Sequence, residues 1–223
     1  MAEPARRRYR VTFAKTEAMR FTGHLDLHRT WERTFRRAAL PLAYSEGFNP
    51  QPKINIGAAL PLGCISDGDL MDVWLEAQVD PLEVEASLRS AAPPGIRIEV
   101  VRSVEATEPV LQRQVQAAVF EVDWADHPEP GEIERRIAAL LGSEQLPRVR
   151  RGKSYDLRPL IEEIRFDRAA SKLWMRLAAR AGATGRPEEV LDALGLDPTA
   201  NLIRRTGLVL TEPEEATPTA SPK

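Results

Sequence analysis

Residues 70–104, LMDVWLEAQVDPLEVEASLRSAAPPGIRIEVVRSV, read as strand, helix and strand in succession. Leu70 to Ala77 alternates apolar with polar side chains, the period of a strand buried on one face. Asp80-Pro81 opens a short helix, because proline at the first helical position gives up only an amide that has no partner there. Pro93-Pro94-Gly95 stops the helix, and Ile96 to Val104 resumes the strand pattern.

Upstream, Tyr9 to Ala14 (YRVTFA) is another alternating strand. Residues 24–39, HLDLHRTWERTFRRAA, carry Leu25, His28, Trp31, Phe35 and Ala38 at spacings of three and four, which predicts a helix with these five on its buried face. Thr22 or Gly23 starts it, and Asp26 suits the positive end of its dipole. Pro41, Pro50 and Pro52 exclude helix between there and the next strand, Ile54 to Ala59. Residues 61–69, PLGCISDGD, read as a turn-rich connection.

The order from residue 9 to 104 is therefore β-α-β-β-α-β, and the second half repeats it. Strands are expected at 117–124, 160–166, 173–178 and 201–210, with helices at 131–141 and 187–194. The predicted fold class is α+β: two tandem ferredoxin-like modules with antiparallel sheets, at 9–104 and 117–210. A basic arm (1–8) precedes them, a linker (105–116) joins them, and a Pro-, Thr- and Glu-rich tail (211–223) follows, expected to be disordered.

Composition narrows the function. The chain of 223 residues has a net charge of −2 and ordinary apolar and charged fractions of 43% and 29%. No stretch approaches the roughly 18 apolar residues of a membrane span, and no signal peptide is apparent, so a cytoplasmic location and no membrane partner are expected. Cys64 is the only cysteine, which excludes a cysteine-rich zinc site or a cysteine-ligated iron–sulfur cluster within this chain. Neither a Gly-rich phosphate loop nor a GxSxG elbow occurs. No cofactor and no metal site are expected.

Charge is unevenly spread. Residues 1–53 hold eleven basic residues against five acidic ones, and a second basic block runs from Arg148 to Arg186, a pattern that suits an anionic partner. On the predicted helix, Arg29, Arg33, Arg36 and Arg37 fall within about 100° of one another and could bind phosphates bidentately. A solvated outer face, with Glu32 as a local partner, accounts for the same spacing. In the following GFNPQPK loop, Gly47 frees the backbone, Phe48 offers a ring for stacking, and Asn49 and Lys53 offer polar contacts. Phe48 as a core plug is the competing reading. Further on, Arg150, Arg151 and Lys153 surround Tyr155, either as phosphate contacts or as a solvated loop. His24 and His28, four apart, lack an evident third metal ligand.

The segments RFTGHLDL, FRRAALPLAYSEGFNPQPKI and LPLGCISDGDLMDV together resemble the signature region of a bacterial family of unknown function whose members are associated with radical SAM proteins. The similarity covers most of residues 9–78 and extends more loosely to KSYDLRPLI. This chain departs from the pattern at Gly23, where serine is expected, and at Gln51, where histidine is common. The resemblance implies a partner, a B12-binding radical SAM protein, and a setting in RNA or ribosome metabolism. It supplies no catalytic residues. Three functions stay open: an RNA-binding accessory protein, a metal-free RNA-processing or RNA-modifying enzyme using Asp26, His28, Tyr44 or Lys53, and a protein–protein adaptor for the radical SAM enzyme.

Overall fold

The computed structural model describes residues 6–125, 128–150 and 152–211. Its elements run β1 (Arg7–Lys15), α1 (His24–Arg37), β2 (Ile54–Ile56), β3 (Cys64–Leu75), α2 (Pro81–Ala91), β4 (Ile96–Val104), α3 (Leu111–Gln114) and β5 (Val115–Asp123). They continue with α4 (Pro130–Gly142), β6 (Pro147–Arg150), β7 (Lys153–Asp156), β8 (Ile161–Asp167), β9 (Lys172–Arg180), β10 (Ala183–Thr184), α5 (Pro187–Ala193) and β11 (Leu202–Leu210). The fold is mixed α+β, with a mostly antiparallel sheet and, among the described residues, five helices. No helix among those residues is long and apolar enough to cross a membrane.

In the first half the strands pair in the order β4-β1-β3-β2, every pair antiparallel. In the second half the order is β11-β5-β9-β8, again antiparallel throughout. A short parallel ladder, Ile203 with Cys64, Arg204 with Ile65 and Arg205 with Ser66, joins the halves into one nine-stranded sheet. β2 is only three residues long and covers Met71 to Val73 of β3, so it leaves the earlier edge of β3 open for β11. The two strands come close: a β-carbon at Gly68 would stand 3.1 Å from the Thr206 carbonyl oxygen.

Each half has its own apolar core. Tyr9, Val11 and Phe13 of β1 and Met71, Val73 and Leu75 of β3 pack against Leu27, Trp31 and Phe35 of α1 and Val84 and Leu88 of α2. The Phe13 and Trp31 rings meet edge to face, 4.8 Å between centroids. In the second half Phe120, Val122, Met175 and Leu177 pack against Ile133 and Ile137 of α4 and Val190 and Leu191 of α5. Asp80 caps α2 by accepting from the Leu82 amide, with Pro81 in the first turn, as its sequence predicts.

Two expectations are corrected, and the linker gains detail. Leu25 is 73% exposed, and Leu27 takes the buried position. Two successive steps of three residues swing Leu25 about 120° around the helix from Trp31, off the core face. Residues 64–69 are not a connection but the first half of β3, held extended by β1 on one side and β11 on the other. Residues 105–116 do not hang free between halves. They contain α3, bury Leu111 and Gln114, and are tied to the sheet where Glu108 pairs with Arg10 and Arg102 at 2.9 and 3.0 Å. The tail from residue 212, residues 1–5 of the basic arm, and Arg151 lie outside the described residues.

Candidate functional site: a basic cleft between the halves

The predicted arginine stripe is on α1 and is exposed, but most of it is engaged. Arg29 pairs with Asp26 (3.2 Å) and Arg36 with Glu32 (2.9 Å), while Arg37 donates from Nε to the Ala91 carbonyl of α2 (2.8 Å). Arg33 alone of the four has neither ion pair nor hydrogen bond among the described residues. Two of the four arginines are thus paired with acids of their own helix, though such exposed pairs are individually weak.

The GFNPQPK loop is the tip of a hairpin-like excursion from the sheet edge. Ser45 donates its amide to the Gln51 carbonyl, and Lys53 donates its amide to Ala43. Gly47, at φ +117°, turns the tip through a conformation that suits glycine. Phe48 is 106% exposed, so it does not plug the core, and Asn49 is exposed beside it. The Phe48 ring has no aromatic or cation–π partner among the described residues.

The second basic segment is a two-stranded hairpin, with Arg150 opposite Lys153 and Gly152 at φ +75° in its turn. This hairpin overhangs a cleft of about 860 Å³ that runs between the two halves. The cleft is lined from the first half by Gly23, His24 and residues 57–62, and from the second by Ala118, Phe120, Arg150, Lys153, residues 179–182 and 184–186, and Arg205. The stripe residues of α1 do not line it, and Tyr155, on the hairpin opposite Arg148, lines an adjoining hollow with Arg150 and Lys153. The two basic segments thus do not converge on one groove.

Arg205 is the charged floor of this cleft. Its side chain is almost wholly buried, and three hydrogen bonds fix it: Nε to Asp69 Oδ1 (2.7 Å), Nη1 to the Ala59 carbonyl (3.1 Å) and Nη2 to the Ala58 carbonyl (3.0 Å). A guanidinium has five N–H donors, so two remain. Behind it, Asp69 is fully buried and its Oδ2 accepts from nothing among the described residues. Buried Lys15 gives its protons to the Arg20 and Cys64 carbonyls at 3.1 and 3.2 Å. Burial pulls the Lys15 pKa down, while Cys64 and Asp69 oppose that and Arg205 adds to it. One carboxylate is thus shared between two cations.

His24, at the start of α1, has its pKa lowered, first by burial and then by the charges of His28 and Arg205. Cys64 cannot act as a nucleophile here, because burial pushes its thiol up to about 12. Arg20 clamps the rim by donating to Gly63 of the first half (2.7 Å) and Asn201 of the second (2.9 Å).

Reading the sequence alone misses Arg205, and it counts Arg180 and Arg186 only within a basic block, not as site residues. The signal for Arg205 is present, however: Arg204-Arg205 interrupts an apolar strand, as Asp67 and Asp69 do in β3, and opposite charges in two strands point to their pairing. A second groove of the same volume, between Arg6–Tyr9 and Gln78–Pro81, is mixed in charge, holding Asp80 and Glu105 with its arginines.

The sequence pattern of a bacterial family described as "Uncharacterized protein conserved in bacteria (DUF2344)" matches residues 8–187. No curated protein matches the chain.

Proposed function

The chain belongs to that bacterial family, and from this premise we propose that it is an RNA-binding accessory protein whose binding site is the cleft between its halves. One observation carries the reading. Five cationic side chains, Arg150, Lys153, Arg180, Arg186 and Arg205, line the cleft with His24, and among the described residues no carboxylate does. Glu162 and Glu188 neutralise Arg180 and Arg186 from outside it, but Arg150 and Lys153 have no ion-pair partner among the described residues. Phosphates match this set, since arginine holds them bidentately and lysine binds them as a point charge.

We read each half as a ferredoxin-like module. The matching orders β4-β1-β3-β2 and β11-β5-β9-β8 support that reading, because in each half the first and third strands are central and adjacent. We further propose a B12-binding radical SAM protein as the partner. The single, buried, protonated Cys64 supports assigning any cluster chemistry to a separate chain. The exposed hairpin tip at Phe48 and Asn49 is the surface we assign to that partner.

The test is anisotropy of a labelled RNA titrated at several salt concentrations. Reversing Arg150 and Lys153 together to glutamate is expected to weaken binding at least about tenfold and to flatten the salt slope by roughly 1.4, the value for two phosphates of a single strand. Arg33→Glu should change affinity by less than about twofold, as expected of a solvated surface charge. Unchanged binding in the double variant would remove the cleft from consideration.

A further inference from the structure

The rim of the cleft carries an apolar feature that phosphate binding does not use. Phe21 is 74% exposed and Leu62 65%, although both are large apolar side chains. Leu62 lines the cleft, and a β-carbon on the next residue, Gly63, would stand 4.0 Å from the Phe21 ring. The Phe21 ring thus does not itself line the cleft but lies next to it, beside Gly63 and two residues before Gly23, which lines the wall.

Phe21 also has a fixed support. The Arg20 guanidinium lies 5.3 Å from its ring centroid, and that guanidinium is held by carbonyls from both halves. A cation behind an aromatic ring leaves its other side to an approaching π-system. Phe48 is even more exposed but has no such backing.

Resting on the reading of the cleft as an RNA site, we propose that Phe21 is a stacking platform for an unpaired base and that the cleft takes single-stranded RNA in preference to duplex. A duplex keeps its bases stacked inside and presents phosphates and sugars, to which an apolar ring offers little. A single strand exposes both chemistries at once. Its phosphates can run past Arg150 and Lys153 while a base lies over Phe21 and against Leu62. Base–aromatic stacking tolerates any base, so little sequence preference is expected.

The experiment compares a labelled single-stranded RNA with a hairpin duplex of equal phosphate number, at one salt concentration. Wild-type protein is expected to prefer the single strand. Phe21→Ala should lower single-strand affinity about tenfold, within the range for loss of one stacked base, and leave duplex affinity unchanged. Phe21→Trp should retain it, and Phe48→Ala should have no effect. Because Phe21 is exposed, the variants should unfold at the wild-type temperature, which calorimetry checks. Unchanged single-strand affinity in Phe21→Ala, with wild-type binding intact, overturns the stacking assignment and leaves the cleft reading standing. Wild-type protein that binds neither RNA overturns both and leaves a protein as the partner of this rim.

Discussion

Asp69 and Asp72 are three residues apart on β3, both fully buried and each paired with an arginine, yet their surroundings differ. Asp72 takes Arg10 bidentately, Nε to Oδ1 at 2.7 Å and Nη2 to Oδ2 at 3.0 Å. The remaining Arg10 nitrogen meets Glu108 at 2.9 Å and Gln114 at 3.3 Å. Asp69 takes Arg205 through one oxygen, its other oxygen accepts nothing among the described residues, and Arg205, with two N–H donors unused, lines a cleft. The first pair is closed and holds the inter-half segment on the sheet. The second is open. Burial alone does not distinguish a structural ion pair from a binding one; the count of unused donors and acceptors does.

Arg10→Ala should produce the largest effect, because it strips the buried Asp72 carboxylate of both its arginine hydrogen bonds and leaves it only Arg8, at 3.9 Å. A loss of about 3–5 kcal/mol is expected for breaking such a pair, measured by urea unfolding, while RNA affinity per folded molecule stays the same. A loss below about 1 kcal/mol, the worth of an exposed pair, would mean that the two pairs are equivalent after all.

Asp69→Asn should cost less, on the order of 2–3 kcal/mol, since the amide oxygen can keep the Arg205 hydrogen bond while buried Arg205 and Lys15 lose their counter-charge. It should also strengthen RNA binding a few-fold, because Lys15 and Arg205 would then stand behind the cleft without a carboxylate between them. Weaker binding in this variant would place Asp69 among the groups that hold the RNA.

The smallest effect concerns pH. The free protein holds the His24 pKa below its ordinary 6.5, by burial first and then by His28 and Arg205. A phosphate seated beside these groups favours the protonated ring and so raises that pKa. The RNA complex then binds more protons than the free protein, and affinity must rise as pH falls through and below 6.5. A gain of about threefold on going from roughly pH 7.5 to roughly pH 5.5 is expected, the effect of one imidazole held somewhat more firmly in its protonated form. His24→Ala should flatten the profile. A flat wild-type profile would place the phosphate away from His24.

How much of this the sequence revealed depends on the range of the interactions. Local patterns were enough for Trp31 and Phe35 on the α1 core face, for the Asp80-Pro81 start of α2, and for the alternation within β1. Leu25 misled because steps of three drift around a helix, while steps of three and four together do not. The cleft was out of reach for a different reason. It depends on β3 meeting β11, a strand from the far end of the chain, and no local periodicity encodes that pairing. The basic hairpin was singled out from the sequence at Arg150 and Lys153, but most of the residues that line the cleft with it are distant in sequence. The arginine stripe was legible as spacing, and Asp26 and Glu32 on the same helix pair with two of its four members.

The parallel seam also has a consequence in time. A ribosome releases the first half, with its own core of β1, β3, α1 and α2, well before Leu202 to Leu210 emerge. Arg205 arrives on that late strand, as does the neighbour that closes the open edge of β3. The nascent protein can therefore be largely folded and still have no floor to its cleft. The cleft is complete only once that strand has emerged, and a chain halted before residue 202 would lack its floor.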